Sequence, residues 1–196
     1  AGANSIDVSS RIKAKMKDLA QFFPEGISYT IPYDTTDYIK LSISRVEKTL
    51  LEAALLVSFI IFLFLHSWRA SFVPIAAMIV SITGTFIGMY LLGFSVNTLT
   101  LFGLVLCVGI VVDDAIVVVE NIERAMREEG LSSKEAAIKA MKEVSSPIIA
   151  TSCVLAAAFI PISFVGGIPG QFYKQFAVTI AVSVMISGFV ALTLSP

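Results

Sequence analysis

"GIVVDDAIVVVEN" spans Gly109–Asn121 and sets two neighbouring carboxylates, Asp113 and Asp114, in a run of Val, Ile and Ala. A soluble core rejects an unpaired buried charge. A bilayer rejects it too, at roughly 2.5–3.5 kcal/mol per Asp on insertion scales. The pair therefore needs either a structural partner or a task.

The rest of the chain favours the bilayer. Of its 196 residues, 56% are hydrophobic and 15% charged, whereas soluble domains carry about 25% charged residues. Mean hydropathy is +0.86. Five runs reach the roughly 20 apolar residues that cross a hydrocarbon core: Val46–Leu65, Ser71–Leu92, Thr98–Val119, Ile148–Val165 and Phe172–Leu194. The expected fold class is an α-helical polytopic membrane protein. No basic or aromatic-interleaved stripe gives reason to expect a nucleic-acid partner. The chain opens Ala-Gly-Ala-Asn without a Met or signal sequence and closes with Ser195-Pro196 after an apolar run. The expectation is a segment of a longer protein.

Residues 1–45 differ in kind. Asn4 is an N-cap candidate, followed by Asp7, and Val8, Ile12, Met16, Leu19 and Phe23 repeat at helical spacing. Pro24 and Gly26 stop that helix. Ile27, Tyr29 and Ile31 alternate with Ser28 and Thr30, the pattern of a half-buried strand ended by Pro32. One helix and one strand cannot close a core, so this region reads as the edge of a larger domain. Asp34 or Thr35 can cap a second helix, and Ile39, Ile43, Val46 and Leu50 carry helical spacing into the first span.

Short-loop charges set the orientation. Arg69, Arg124, Arg127, Lys134, Lys139 and Lys142 lie on one side and Lys174 alone on the other, six against one. The first group marks the cytoplasmic side and leaves the N-terminal segment outside. Within the charged loop, Ser132, Ser133, Lys134 and Glu135 form a capping-box pattern, and Ala137, Ile138, Met141 and Val144 an apolar stripe. A separate amphipathic helix near 132–145, lying on the membrane surface, is expected, with Pro147 opening the fourth span.

Consecutive helical residues point about 100° apart, so Asp113 and Asp114 cannot serve one partner from one face. Gly103 and Cys107 form a small-xxx-small pair, and Gly109 lies one turn before Asp113, which predicts close helix packing beside the acids. No Lys or Arg lies at mid-depth in any of the five spans. The counter-charge is expected from a helix outside the chain, or from a water-filled cavity. Intramembrane carboxylates commonly belong to ion or proton pathways. Cys107 and Cys153 lack neighbouring ligands at metal spacing and read as packing residues, with no metal, cofactor or disulfide implied. The one His, His66, falls in a turn, and no nucleophile set or phosphate loop indicates an enzyme.

"FGLVLCVGIVVDDAIVVVENIERAM", Phe102–Met126, resembles the fourth transmembrane helix of the RND (resistance–nodulation–division) efflux transporters, in their hydrophobe/amphiphile, AcrB-like branch. "GANSIDVSSRIKAKM", "YTIPYDTT", "LGFSVNTLT", "EEGLSSKEAAIKAM" and "GGIPGQFYKQFAVTI" follow the family order, so the resemblance covers essentially the whole chain. It implies that residues 1–45 end a periplasmic porter subdomain, an α/β segment, and that 46–196 are helices two to six of the first half. It implies a homotrimeric, proton-driven antiporter of the bacterial inner membrane. Such pumps work with a periplasmic adaptor and an outer-membrane channel and export small hydrophobic or amphiphilic compounds. By the resemblance, Asp113 and Asp114 are a proton relay completed by a Lys from the second half, and coupling needs no cofactor. The heavy-metal branch usually keeps one acid here, and Met78, Met89 and Met185 are too scattered to guide a metal. Rival readings are a superfamily relative that moves lipids or metal ions or aids protein export, and a non-transporting sensor whose acids only join helices.

Overall fold

The computed structural model describes residues 4–65 and 67–196. His66, placed in a turn by the sequence, lies outside the described residues. The chain divides into two compact units, Ala1–Arg45 and Val46–Pro196.

In the first unit, α1 runs Ser5–Ala20. The Asn4 side chain accepts the amides of Ile6 and Asp7, at 2.9 and 3.4 Å, and so starts the helix. The Phe22 and Phe23 amides turn back onto the carbonyls of Leu19 and Ala20, ending it before Pro24. The apolar stripe of α1 finds no cover here: Val8, Ile12 and Leu19 are all exposed. The expected strand over Ile27–Ile31 is not formed. Residues 27–34 have no regular structure, and Ile27, Tyr29 and Ile31 are exposed. Alternation alone cannot make a strand, because its backbone groups need a ladder partner. No strand occurs among the described residues. The α/β segment is thus one helix and an irregular stretch, with Phe23 and Tyr29 in edge-to-face contact at 6.3 Å.

Both capping candidates for the next helix take part. The Ile39 amide reaches the Thr35 carbonyl, while the Asp34 carboxylate accepts the Thr36 amide at 2.8 Å. The Ser9 hydroxyl and Lys13 ammonium meet the second Asp34 oxygen at 3.2 and 2.5 Å, which fastens α1 to this cap. From it, α2 runs unbroken over Thr36–Leu65 and contributes residues to both units.

The second unit holds α3 (Trp68–Leu91), α4 (Thr98–Glu129), α5 (Ser133–Phe159), a 3₁₀ turn (Ile160–Phe164) and α6 (Gly167–Thr193). Five helical stretches, beginning with α2, are long and apolar enough to cross a membrane. Local chemistry sets their ends. Asn97 and Thr100 form a reciprocal capping box at the start of α4. Its end is Gly130 at φ 67°, a left-handed conformation that glycine adopts without steric cost. Two residues on, the Glu135 carboxylate caps α5, accepting the Ser132 amide at 3.2 Å and the Ser132 hydroxyl at 2.7 Å.

α6 packs against α3, α4 and α5, and α4 also packs against α3 and α5. Ile61 of α2 joins Met78, Val108 and Val112 in a buried cluster. Small residues admit this closeness, since lipid offers no hydrophobic drive for helix association. A Cβ on Gly84 or Gly88 would come within 2.9 Å of Ile186 or 2.6 Å of Val182 on α6.

The expected separate surface helix near 132–145 is corrected. α5 continues through Pro147, which lies inside the helix. Proline there only removes one amide and frees the Glu143 carbonyl, a loss that long membrane helices tolerate. The first half of α5 is held beside the end of α4 by Lys139–Glu129 at 2.5 Å and Arg124–Glu143 at 3.2 Å.

Candidate functional site

The two aspartates point to different surroundings, as a step of about 100° requires. Asp114 is half-buried and turned toward α6, whereas Asp113 is exposed. The exposed face continues along α4 through Phe102, Leu106, Gly109, Asp113, Val117 and Glu120. Among the described residues neither aspartate forms an ion pair.

Gly103 and Cys107 lie on the α6 side. A Cβ at Gly103 would sit 3.5 Å from the Phe176 ring and 3.6 Å from Ile180, ordinary contact distances. Cys107 is buried with Val111, Ile180 and Val184. Gly109, expected to pack similarly, does not. It is exposed, and a Cβ there would meet nothing within 4 Å. Its spacing of four places it on the Asp113 face rather than the Asp114 face.

Hydroxyl groups line the α6 side. Gln175, Thr179, Ser183 and Ser187 recur every four residues, and the last three are buried. At one end the Asn97 amide donates to the Gln175 side chain at 2.6 Å. Thr179 and Ser183 then donate to the carbonyls four residues earlier, at 2.7 and 2.9 Å. Ser187 breaks this habit and crosses to α4. Its hydroxyl lies 2.7 Å from the Val111 carbonyl and 3.3 Å from Asp114 Oδ2. Asp114 is thereby tied to α6 through a neutral partner.

Sequence reasoning found the two acids but missed Ser187. The four-residue spacing of Gln175, Thr179, Ser183 and Ser187 was the available signal. Ser152 on α5, which also borders the Asp114 carboxyl, carried no comparable pattern.

Chemically, the site offers one half-buried acid with a hydroxyl partner and one acid on an open face. It lacks a counter-ion among the described residues. Such an arrangement can hold or release a proton, and the adjacent open face leaves room for a cation brought by another helix.

Residues 1–196 match the AcrB/AcrD/AcrF family. The chain is 47% identical over 195 residues to the multidrug export protein AcrF of Escherichia coli (strain K12), which covers 100% of this chain and 19% of that protein. It is 44% identical over 196 residues to the multidrug resistance protein MdtF of the same strain, again 100% of this chain and 19% of the relative. To the toluene efflux pump membrane transporter TtgB of Pseudomonas putida it is 43% identical over 195 residues, with the same coverage. The chain thus spans about a fifth of the length of the curated relatives it matches. Five spans together with these relatives mark a multi-pass membrane protein.

Proposed function

Since the chain belongs to the AcrB/AcrD/AcrF family of RND transporters, we propose that it forms part of a proton-driven antiporter exporting hydrophobic or amphiphilic compounds. The observation that carries this reading is the split pair. Asp114 is held against α6 by Ser187, while Asp113 faces outward without a counter-ion among the described residues. A pair that only stapled helices would have both acids engaged. The relatives are by name a multidrug export protein, a multidrug resistance protein and a toluene efflux pump transporter, which supports organic substrates for this protein.

In the proposed cycle, a Lys from the second half of the full-length protein approaches the open Asp113 face. Protonation of the acids removes charge and releases that cation, which shifts helices between two packings. Deprotonation draws it back. α2, one helix shared by both units, is the element through which this shift would reach the porter domain. The excess of Lys and Arg in the loops supports a cytoplasmic Arg124–Lys142 side and a periplasmic segment 1–45, in an inner-membrane protein. Assembly as a homotrimer with an adaptor and an outer-membrane channel completes the proposal, with the proton as the only coupling species.

The test is efflux and substrate-driven proton movement by the full-length protein carrying Asp113→Asn or Asp114→Asn. Loss of both activities at normal membrane levels supports the relay. Near-normal activity in both variants reduces the pair to a structural role.

A further inference from the structure

Ser152 lies on α5 with only 4% of its surface exposed. Its hydroxyl has no hydrogen-bond partner, although buried polar groups are nearly always paired. Serines and threonines within helices usually donate to the carbonyl four residues back. Ser58, Ser71, Thr83, Thr85 and Ser183 all do so here. For Ser152 that carbonyl belongs to Ile148, and the hydroxyl of Thr151 already donates to it at 3.0 Å. The usual outlet is occupied by a neighbour.

Two further contacts fix where the idle hydroxyl stands. Opposite it on α6 is Gly188, where any Cβ would collide with Ser152 Oγ. The preceding residue, Ser187, is the one bonded to Asp114. The Ser152 hydroxyl also lies near enough to the Asp114 carboxyl to favour its charged form as a hydrogen-bonding neighbour would, although its geometry falls short of a hydrogen bond. Ser81 and Ser195 also lack partners.

The donor count at Asp114 then depends on its charge. A Ser187 hydroxyl carries one proton, and its shorter contact, 2.7 Å, is to the Val111 carbonyl. A neutral Asp114 is satisfied without further help, because its own O–H can donate to the Ser187 oxygen. An ionised Asp114 is an acceptor only. Ser187 has then already committed its proton, and among the described residues Ser152 is a donor beside the site whose proton is still unspent. In the structure Ser187 is within hydrogen-bond distance of Asp114, and the Ser152 hydroxyl beside it has no partner.

We propose that Ser152 is a positioning residue for Asp114, donating its hydroxyl proton to the carboxylate when Asp114 is ionised and disengaging when Asp114 is protonated. This rests on the proton-relay reading above. Ser152 keeps its own proton throughout, and the transported proton leaves Asp114 for water. Asp113 is the only other ionisable group acting on Asp114 among the described residues. The packed elements add none nearby. α3 carries Arg69 and Tyr90 at its two ends, α6 carries Tyr173 and Lys174 in its first turns, and α2 has no charged residue after Glu52. The charged residues of α5 all precede Ser145, and Cys153 beside Ser152 is exposed.

The test uses the full-length transporter in membranes. A hydrophobic carbodiimide, which modifies protonated carboxyls, is applied across pH, and the label on Asp114 is resolved from that on Asp113 by tandem mass spectrometry. Ser152→Ala should move the labelling midpoint to higher pH by about one unit, a tenfold change in proton dissociation, because the carboxylate loses a donor. Ser152→Cys, similar in size and a weaker donor, should fall between, and it serves also if the Ala variant fails to fold. Thermal stability of Ser152→Ala should equal or exceed that of the parent, since an orphaned hydroxyl is removed. A midpoint unchanged in both variants, with Asp114 of the parent titrating normally, overturns the role of Ser152 and leaves the relay intact. Labelling of Asp114 that does not vary with pH in the parent overturns both.

Discussion

Ser187 on α6 bridges two points of α4, the Val111 carbonyl and the Asp114 carboxyl, at 2.7 and 3.3 Å. It is the residue in its polar column that donates across the helix interface rather than along its own helix. Ser187→Ala should lower stability by about 1–2 kcal/mol, the worth of a buried hydrogen bond with some charged character. Ser187→Cys should recover part of this. Thermal denaturation of the detergent-solubilised full-length protein measures the difference, and an unchanged melting temperature for Ser187→Ala would remove the bridge.

Asp113→Asn and Asp114→Asn should each abolish efflux on their own, because side chains about 100° apart cannot substitute for each other. Expression should be preserved, since an amide is cheaper to bury than a carboxylate. Drug susceptibility and dye efflux at matched protein levels give the readout. Retained function in either variant limits the relay to the other acid.

Gly188→Ala should destabilise by about 1–3 kcal/mol, because the new methyl has no room against Ser152. Adding Ser152→Ala should relieve only part of this, since the Ser152 Cβ also lies 3.1 Å from the new methyl. A double-mutant cycle on melting temperature would expose the coupling. Strictly additive effects would mean that the two residues do not meet.

Asp34 should titrate well below the usual carboxylate range. The Lys13 ammonium and the Thr36 hydroxyl and amide hold its charged form. A carboxyl depressed on folding contributes stability above its unfolded value and loses it as pH falls through its folded one. Amide exchange at Thr36 and along α1, corrected for intrinsic rate, should therefore stay constant from neutrality down to about pH 4. Asp34→Asn should exchange faster across that whole range, and equal exchange would show the cap to be idle.

Cysteines placed singly at Ser95 and Ser133, in a protein without Cys107, Cys153 or other thiols, should label from opposite faces of the membrane. Both positions are exposed. Labelling from one face only would refute the assignment of spans.

The membrane helices were legible because length and apolarity need no tertiary context. The caps at Asn4 and Asn97 and at Ser132–Glu135 were legible too, or could have been, because they are local chemistry. The strand at Ile27–Ile31 was misread because alternation cannot reveal whether a neighbouring strand exists. Pro147 was misread because its cost inside a helix depends on what surrounds the freed carbonyl. Gly109 resembles Gly103 in composition, but six residues of helix turn it about 120° away, onto the exposed face. Ser187 and Ser152 stayed hidden because a serine in an apolar span is ordinary until its distance to an acid is known.

The unbroken course of α5 has a mechanical consequence. Between Pro147 and the helix start at Ser133 lies an arm of about 21 Å, from a rise of about 1.5 Å per residue. At Pro147 the ladder lacks one rung, so bending stiffness is lowest there. A flexure of only ten degrees or so at that pivot would sweep the Ser133 tip by roughly 4 Å, on the same rise per residue. The Arg124–Glu143 and Lys139–Glu129 pairs attach this arm to α4, so such a sweep would be felt as torque on the helix that carries Asp113 and Asp114.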